Sequence, residues 1–182
     1  SQEGIYRHYM AVAEASPVPV ILYNVPGRTG VNMTAATALR LAHASDNIVA
    51  VKEASSKRDQ ILEILEKRPA GFAVLSGNDD ETLDLMKNGA EGIISVASNV
   101  TPFMVADLAH NMLEGKVAEA EALHEKLLPL FRNCFVESNP IPAKAALHAM
   151  GFIQNEMRLP LVPASQPAYD LMCATIKDLG LI

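Results

Sequence analysis

The sequence has no tryptophan, only two cysteines, and few aromatic residues (5%) among its 182 residues. Cys134 and Cys173 lack metal-ligand spacing, so we predict reduced thiols, no metal site and a cytoplasmic protein. Positive charge is also scarce, because 15 Lys and Arg stand against 21 Asp and Glu, for a net charge of -6. This balance argues against a nucleic-acid partner, since the Lys and Arg residues are scattered rather than clustered on one segment.

Long apolar runs are absent as well, although 49% of the residues are hydrophobic. Pro, Asn, Lys or Gly interrupts each run before it could span a bilayer, so we predict no membrane segment. The chain starts at Ser1 without the basic and apolar regions of a signal peptide. A helical pattern starts there with nothing before it, which we interpret as the sign of a processed chain or a fragment.

The apolar pattern alternates between strands and helices over residues 1–115. Short, wholly apolar runs predict four buried strands, at residues 18–23, 48–51, 72–75 and 92–96. A helical pattern precedes the first strand and follows each strand, at residues 3–14, 34–43, 58–67, 80–88 and 102–114. Thr34 and Thr101 are the predicted N-caps of two of these helices, and residues 26–30 are predicted as a loop. Beyond position 115 only helical patterns remain, at residues 116–131, 142–150 and 167–179.

This order predicts an α/β fold of four βα units with parallel strands and right-handed crossovers. A doubly wound open sheet would give the same alternation, but no glycine-rich dinucleotide fingerprint follows any of the strands. A complete (β/α)8 TIM barrel has eight such units in about 250 residues. We therefore predict a partial barrel over residues 1–115 and a helical appendage over residues 116–182.

Reactive groups of parallel α/β enzymes lie at the carboxyl ends of the strands, and Lys52 is the notable residue there. Desolvation beside an apolar strand disfavours its ammonium form and leaves more neutral amine to attack a carbonyl. Tyr23 ends the preceding strand and could transfer protons beside that amine, while Arg28, in the next loop, could hold a carboxylate. Each residue also has a structural alternative. Lys52 could be solvated or paired with Glu53, Tyr23 could belong to the core, and Arg28 could be a solvated loop charge.

Two segments carry a specific resemblance. Tyr23-Asn24-Val25-Pro26-Gly27-Arg28-Thr29-Gly30, followed by Val51-Lys52-Glu53-Ala54, resembles the signature of the dihydrodipicolinate synthase and N-acetylneuraminate lyase superfamily. Residues 75–79 and 92–96 resemble the next two strand ends, and residues 135–144 and 158–161 resemble the tail of the synthase branch. The similarity runs from Ser1 to Ile182 and implies the C-terminal half of a TIM barrel.

The resemblance implies a class I lyase of lysine and diaminopimelate biosynthesis, which condenses pyruvate with aspartate semialdehyde to 4-hydroxy-tetrahydrodipicolinate. Lys52 would form the Schiff base and Tyr23 would relay protons. Arg28 would bind the aldehyde's carboxylate, and Gly77 and Ile94 would bind pyruvate through their backbones. No metal or organic cofactor is implied, because the covalent imine to Lys52 is itself the electron sink. The family also implies a homotetramer.

Two other functions remain open. An N-acetylneuraminate or keto-sugar-acid aldolase of the same superfamily would use Lys52 and Tyr23 in the same way. The other is a non-catalytic fragment or an assembly-dependent subunit. The family's amino-terminal glycine- and threonine-rich loop and its second relay tyrosine have no counterpart here, so we expect little turnover from this chain alone.

Overall fold

The computed structural model describes residues 1–182 as two compact units, residues 1–94 and residues 95–182. None of its helices combines the length and the apolar character that crossing a membrane requires. The division that the strand patterns predict at residue 115 stays a prediction.

The first unit contains all four strands of the protein and five of its helices. The helices precede, connect and follow the strands in the predicted order, and a 3₁₀ turn at Asp79–Glu81 leads into the fifth. The elements are α1 Gln2–Ala15, β1 Val20–Asn24, α2 Pro26–Thr29, α3 Ala35–Ala44, β2 Ile48–Glu53, α4 Arg58–Lys67, β3 Ala73–Ser76, α5 Thr82–Lys87 and β4 Gly92–Ile93.

The strands form one parallel sheet in the order β1-β2-β3-β4, which confirms the predicted βα alternation. Leu22, Val51 and Val74 are fully buried in one row across three strands, on what we call the buried face. Consecutive strand residues point to opposite sides of a sheet. Tyr23 and Lys52 therefore belong to the other side, which we call the open face.

The pairing of β1 with β2 contains one irregularity. Val20 pairs with Ile48, but Ile21 pairs with Ala50, so the register shifts by one residue between Val20 and Ile21. The burial pattern of β2 changes phase at the same level, because Ala50 and Val51 are both buried. Beyond this point the strands pair regularly through their carboxyl ends.

Local sequence signals explain most of the helix boundaries. Two predictions made from such signals, a loop at residues 26–30 and the length of the fourth strand, differ from the structure. Thr34 caps α3 as predicted, with its hydroxyl accepting a hydrogen bond from the amide of Thr37. Residues 26–29 form a helical turn rather than the predicted loop, with Pro26 at its start and Gly30 at a φ of 71° closing it. The predicted fourth strand is too long, because pairing with β3 ends at Ile93 and a 3₁₀ turn starts at Ala97.

The second unit is wholly helical. Its helices are α6 Pro102–Leu113, α7 Val117–Asn133, α8 Ile141–Ala149 and α9 Gln166–Asp178, after the 3₁₀ turn Ala97–Asn99. They bury an apolar core that includes Leu127, Leu130, Met172 and Ile176. Thr101 is the N-cap of α6 as predicted, although its side chain makes no capping hydrogen bond.

Candidate active site

Tyr23 and Lys52 occupy paired positions on neighbouring strands. The parallel register of β1 and β2 aligns their Cα atoms, and the Nζ atom of Lys52 lies 4.1 Å from the centroid of the Tyr23 ring. A cation at this distance from an aromatic face is attracted by the electrons of the ring. Lys52 is half-buried and Tyr23 is 40% exposed, so the pair remains open to a small ligand.

Lys52 lies inside β2 rather than after it. The strand continues through Glu53, which pairs with Asn24 of β1 and Ser76 of β3. Both neighbouring strands therefore hold the backbone that carries the amine. Glu53 belongs to the buried face and hydrogen-bonds there to Ser55. It therefore does not form the ion pair with Lys52 that one of the alternatives predicted.

Arg28 is exposed on α2, five positions after Tyr23 along the chain. The amide of Arg28 donates to the carbonyl of Val25 at 2.9 Å, which places it within the helical turn. Its guanidinium makes no hydrogen bond or ion pair with Tyr23 or Lys52. The structure thus brings the first two predicted site residues into contact and leaves the third with a free cationic group near the end of β1.

Gly77 is buried directly after β3, against the end of β2. Its amide donates to the carbonyl of Glu53 at 2.7 Å. A Cβ atom at position 77 would lie 2.6 Å from the Cβ of Ala54 and 3.0 Å from the carbonyl oxygen of Glu53. Only glycine therefore allows the β3 end to approach the β2 end this closely.

Ile94 directly follows β4, and its amide donates to the carbonyl of Ser76 at 2.9 Å. Its side chain is 39% exposed. Like Tyr23, Lys52 and Gly77, it lies at the carboxyl end of a strand of the parallel sheet. The backbone of Ile94 is thus on the edge where ligands of such sheets bind.

A row of polar side chains on the buried face was missed by sequence reasoning. Asn24, Glu53 and Ser76 are all buried at paired positions, directly behind the level of Tyr23 and Lys52. Burial raises the pKa of the Glu53 carboxyl; hydrogen bonds with Ser55 and Gln60 oppose this effect, and the charge of Glu81 adds to it. Strand alternation was the signal that could have placed these residues opposite the reactive pair.

The structure contains no group of three or more His, Cys, Asp or Glu side chains that could hold a metal ion. Asp79, Asp80 and Glu81 form the 3₁₀ turn before α5, where acidic side chains complement the amino end of a helix. The reactive side chains that the sheet presents together on its open face are the amine of Lys52 and the phenol of Tyr23.

Comparison with known proteins shows which family this chain resembles. The model of the dihydrodipicolinate synthetase family matches residues 1–179. Two curated relatives, both called 4-hydroxy-tetrahydrodipicolinate synthase, come from Chlorobium luteolum and Chlorobaculum parvum. They are 50% and 48% identical over 182 residues, which is the whole of this chain and 62% of each relative.

Solved structures agree with this match. The dihydrodipicolinate synthase of Thermotoga maritima superimposes with a TM-score of 0.98 at 45% identity, over 100% of this chain and 63% of that one. A structure described as the first monomeric dihydrodipicolinate synthase variant gives a TM-score of 0.97 at 44% identity and 62% coverage. The predicted fold class, the C-terminal half of a TIM barrel followed by helices, is confirmed.

The chain spans less than two thirds of the length of these relatives and corresponds to their C-terminal part. Tyr23 and Lys52, which belong to the two segments that resemble the family signature, are paired at the carboxyl edge of the sheet. On the match of residues 1–179 and the identity of 50%, the chain belongs to the dihydrodipicolinate synthetase family.

Proposed function

We propose that this chain carries the imine-forming part of a 4-hydroxy-tetrahydrodipicolinate synthase, with Lys52 as the nucleophile that attacks pyruvate. One observation carries the proposal, which is the position of the Lys52 amine 4.1 Å from the centre of the Tyr23 ring, on the open face. An amine beside a phenol at a strand end has both groups that imine formation requires, a nucleophile and a proton donor and acceptor.

The proposed reaction starts with attack of the neutral Lys52 amine on the ketone carbon of pyruvate. The carbinolamine loses its oxygen as water, for which Tyr23 supplies the proton, and an imine forms. The Tyr23 phenolate then takes a proton from the methyl group, which gives the enamine. The enamine carbon attacks the aldehyde of aspartate semialdehyde, and the new alkoxide takes up a proton to become the hydroxyl. The substrate's own amine then attacks the imine carbon, which closes the ring and releases Lys52. The imine accepts the electrons throughout, so we propose no metal or organic cofactor.

Substrate binding is assigned to three further residues. The backbones of Gly77 and Ile94 lie at the carboxyl ends of β3 and β4, where their polar groups can orient a small keto acid. The exposed Arg28 can bind the carboxylate of the aldehyde through two parallel hydrogen bonds, a geometry that guanidinium groups favour.

A sialic acid or keto-sugar-acid aldolase would use the same amine and phenol. The curated relatives named above are all 4-hydroxy-tetrahydrodipicolinate synthases, which favours the synthase as the activity of the complete protein. Arg28 favours it too, because the aldehyde of the synthase reaction carries a carboxylate. We also propose a cytoplasmic location, in keeping with two free cysteines.

An assembly-dependent subunit is the second candidate. Ile21, Tyr23 and Ile94 are each about 40% exposed on or beside the sheet, so this sheet leaves apolar side chains open to solvent. A covered surface would exclude water from the imine, and this favours activity that depends on further protein. We propose a homotetramer as the active state, although one structural relative is described as monomeric.

Borohydride trapping tests the proposal directly. The chain is incubated with pyruvate, reduced with borohydride, and analysed by intact mass and peptide mapping. We expect one reduced pyruvyl group, on Lys52, and none in the Lys52→Met variant. Lys57→Met is the matched control, because Lys57 is an exposed lysine just beyond β2 and its loss should leave the adduct unchanged. A folded parent chain without an adduct on Lys52 would contradict the proposed function.

A further inference from the structure

The two residues that follow the reactive pair are themselves paired, on the other face of the sheet. Asn24 follows Tyr23, Glu53 follows Lys52, and the register aligns Asn24 with Glu53. Both side chains are buried, and Glu53 has no exposed surface at all. Buried carboxyl groups are rare unless they have a specific role, so this position needs an explanation.

A continuous chain of side-chain hydrogen bonds joins these two strand ends. The amide of Gln60, on α4, donates to Oε2 of Glu53 at 3.1 Å. Asn32 donates to Oε1 of Gln60 at 2.9 Å, and Asn24 donates to Oδ1 of Asn32 at 3.0 Å. Ser55, in the segment after β2, donates to the same oxygen of Glu53 at 3.0 Å.

The same group of residues also holds the segment that follows α2. The side chain of Asn24 accepts a hydrogen bond from the amide of Met33 at 2.9 Å and donates to its carbonyl at 3.2 Å. Gln60 donates to that carbonyl as well, at 3.1 Å. The return of the chain from α2 to α3 is therefore attached to the buried side of β1 and to α4.

Glu53 has a buried acceptor atom that forms no hydrogen bond. Its Oε2 atom accepts two hydrogen bonds, but the buried Oε1 atom has no partner. A merely structural acceptor could be supplied by an amide at lower cost, because a neutral group avoids the desolvation of a carboxylate. Burial of this carboxyl also raises its pKa.

We propose that Glu53 is a positioning residue for Lys52. Through Gln60 and Asn32, Glu53 fixes the end of β2 to the Asn24 end of β1. The inference rests on the proposed function, because it concerns the placement of the nucleophile of that reaction. Glu53 does not touch the substrate, since it points away from the open face. It acts by keeping the amine of Lys52 aligned with Tyr23, and misplacement by about 1 Å can slow a reaction by up to about a hundredfold.

The test measures the rate of imine formation by rapid quenching with borohydride, over a range of pyruvate concentrations. Glu53→Met keeps the length of the side chain and removes both acceptors. We expect it to slow trapping at saturating pyruvate about tenfold and to change the half-saturating concentration by less than about twofold. Glu53→Gln keeps an acceptor for Ser55 and Gln60, and should restore the rate to within about twofold of the parent chain.

Asn47→Ala is the matched control for a general loss of stability. Asn47 directly precedes β2, at the end far from Lys52, and its amide donates to the carbonyls of Ala13 and Ser16. We expect this variant to lower the thermal midpoint while it leaves the trapping rate of the folded protein unchanged. If it slowed trapping as much as Glu53→Met, the effect would be one of stability and the inference would be overturned.

The outcomes separate this inference from the proposed function. No adduct in the folded parent chain overturns both. An adduct in the parent, with a folded Glu53→Met variant that reacts at the parent rate, overturns the inference alone. If Glu53→Met does not fold, Gln60→Met decides, because it removes the link to Asn32 and leaves both strands intact. Slower trapping by Gln60→Met supports the inference, and an unchanged rate overturns it.

Discussion

The Nζ atom of Lys52 lies over the ring of Tyr23, and the two residues are partners in the parallel register of β1 and β2. The ring and the hydroxyl of Tyr23 can therefore act separately. The ring attracts the ammonium form of the lysine by about 0.5–2 kcal/mol. The hydroxyl is the only part that can transfer a proton, and replacing it alone distinguishes the two contributions.

Tyr23→Phe should keep the ring beneath Lys52 and remove the proton relay. We expect imine formation to slow by about a hundredfold, the lower limit for a lost general acid or base, with unchanged thermal stability. Tyr9→Phe, on α1, is the control and should react like the parent chain. The measurement is borohydride trapping against time, and an unchanged rate in Tyr23→Phe would remove the hydroxyl from the proposed mechanism.

Arg28→Ala should weaken the use of aspartate semialdehyde much more than imine formation. Charge-assisted hydrogen bonds contribute about 1.5–3 kcal/mol, which corresponds to a ten- to hundredfold change in affinity. The preformed imine is titrated with the aldehyde, and the loss of trappable adduct is followed by mass. Arg7→Ala, on the exposed side of α1, is the control. Equal effects of Arg28→Ala on both steps would exclude Arg28 from aldehyde binding.

Gly77→Ala should destabilise the protein and disturb Lys52 at the same time. The new Cβ would lie 2.6 Å from that of Ala54, so the end of β2 must shift, at a cost of about 1–3 kcal/mol. Gly27→Ala is the control, because nothing lies within 4 Å of its Cβ position. Urea unfolding and the trapping rate together check the prediction. Parent-like behaviour in both assays would mean that the β3 end can move without affecting the amine.

Replacing Glu53 should change how stability depends on pH. Burial raises the pKa of this carboxyl in the folded protein above the ordinary value of 4.5, and the charge of Glu81 raises it further. The folded state therefore holds the proton more tightly, and this contribution to stability is lost as the pH rises through the raised pKa. Glu53→Gln has no such loss, so its thermal midpoint should rise relative to the parent as the pH increases above 4.5.

Glu3→Gln is the control of opposite sign for this titration. Hydrogen bonds from Arg40 and Arg7 lower the pKa of Glu3. Its contribution to stability is therefore present above the ordinary value of 4.5 and lost as the pH falls through the lowered pKa. Relative to the parent, this exposed variant should lose stability as the pH increases. A Glu53→Gln curve parallel to that of Glu3→Gln would contradict the raised pKa.

The fold could be predicted where the local signals are strong. The helix over residues 58–67 has the predicted boundaries, and Thr34 caps α3, because apolar periodicity and capping are properties of neighbouring residues. The turn at 26–29 was missed, since four residues are too few to show a period. The length of β4 was overestimated, because its end depends on where β3 stops offering a partner.

The candidate site, like the fold, could be predicted from the sequence only in part. The meeting of Tyr23 and Lys52 followed from two parallel strands with a residue at each carboxyl end. The role of Glu53 could not be found, because its partner Gln60 is linked in turn to Asn32, 28 residues earlier in the chain. Such long-range hydrogen bonds leave no pattern in a single sequence, and the neighbouring Glu53 looked instead like a simple counter-ion for Lys52.

The shift in register near the start of β1 decides which chemical group reaches the substrate. Beyond it, β2 is advanced by one residue, so that Lys52 rather than Val51 lies beside Tyr23. Side chains alternate along a strand, and a sheet without this irregularity would face the phenol with a valine methyl group and enclose the amine among the apolar side chains behind it. The shift of one residue near the start of β1 therefore places Lys52 where it can act as a nucleophile, and not as a buried, unreactive cation.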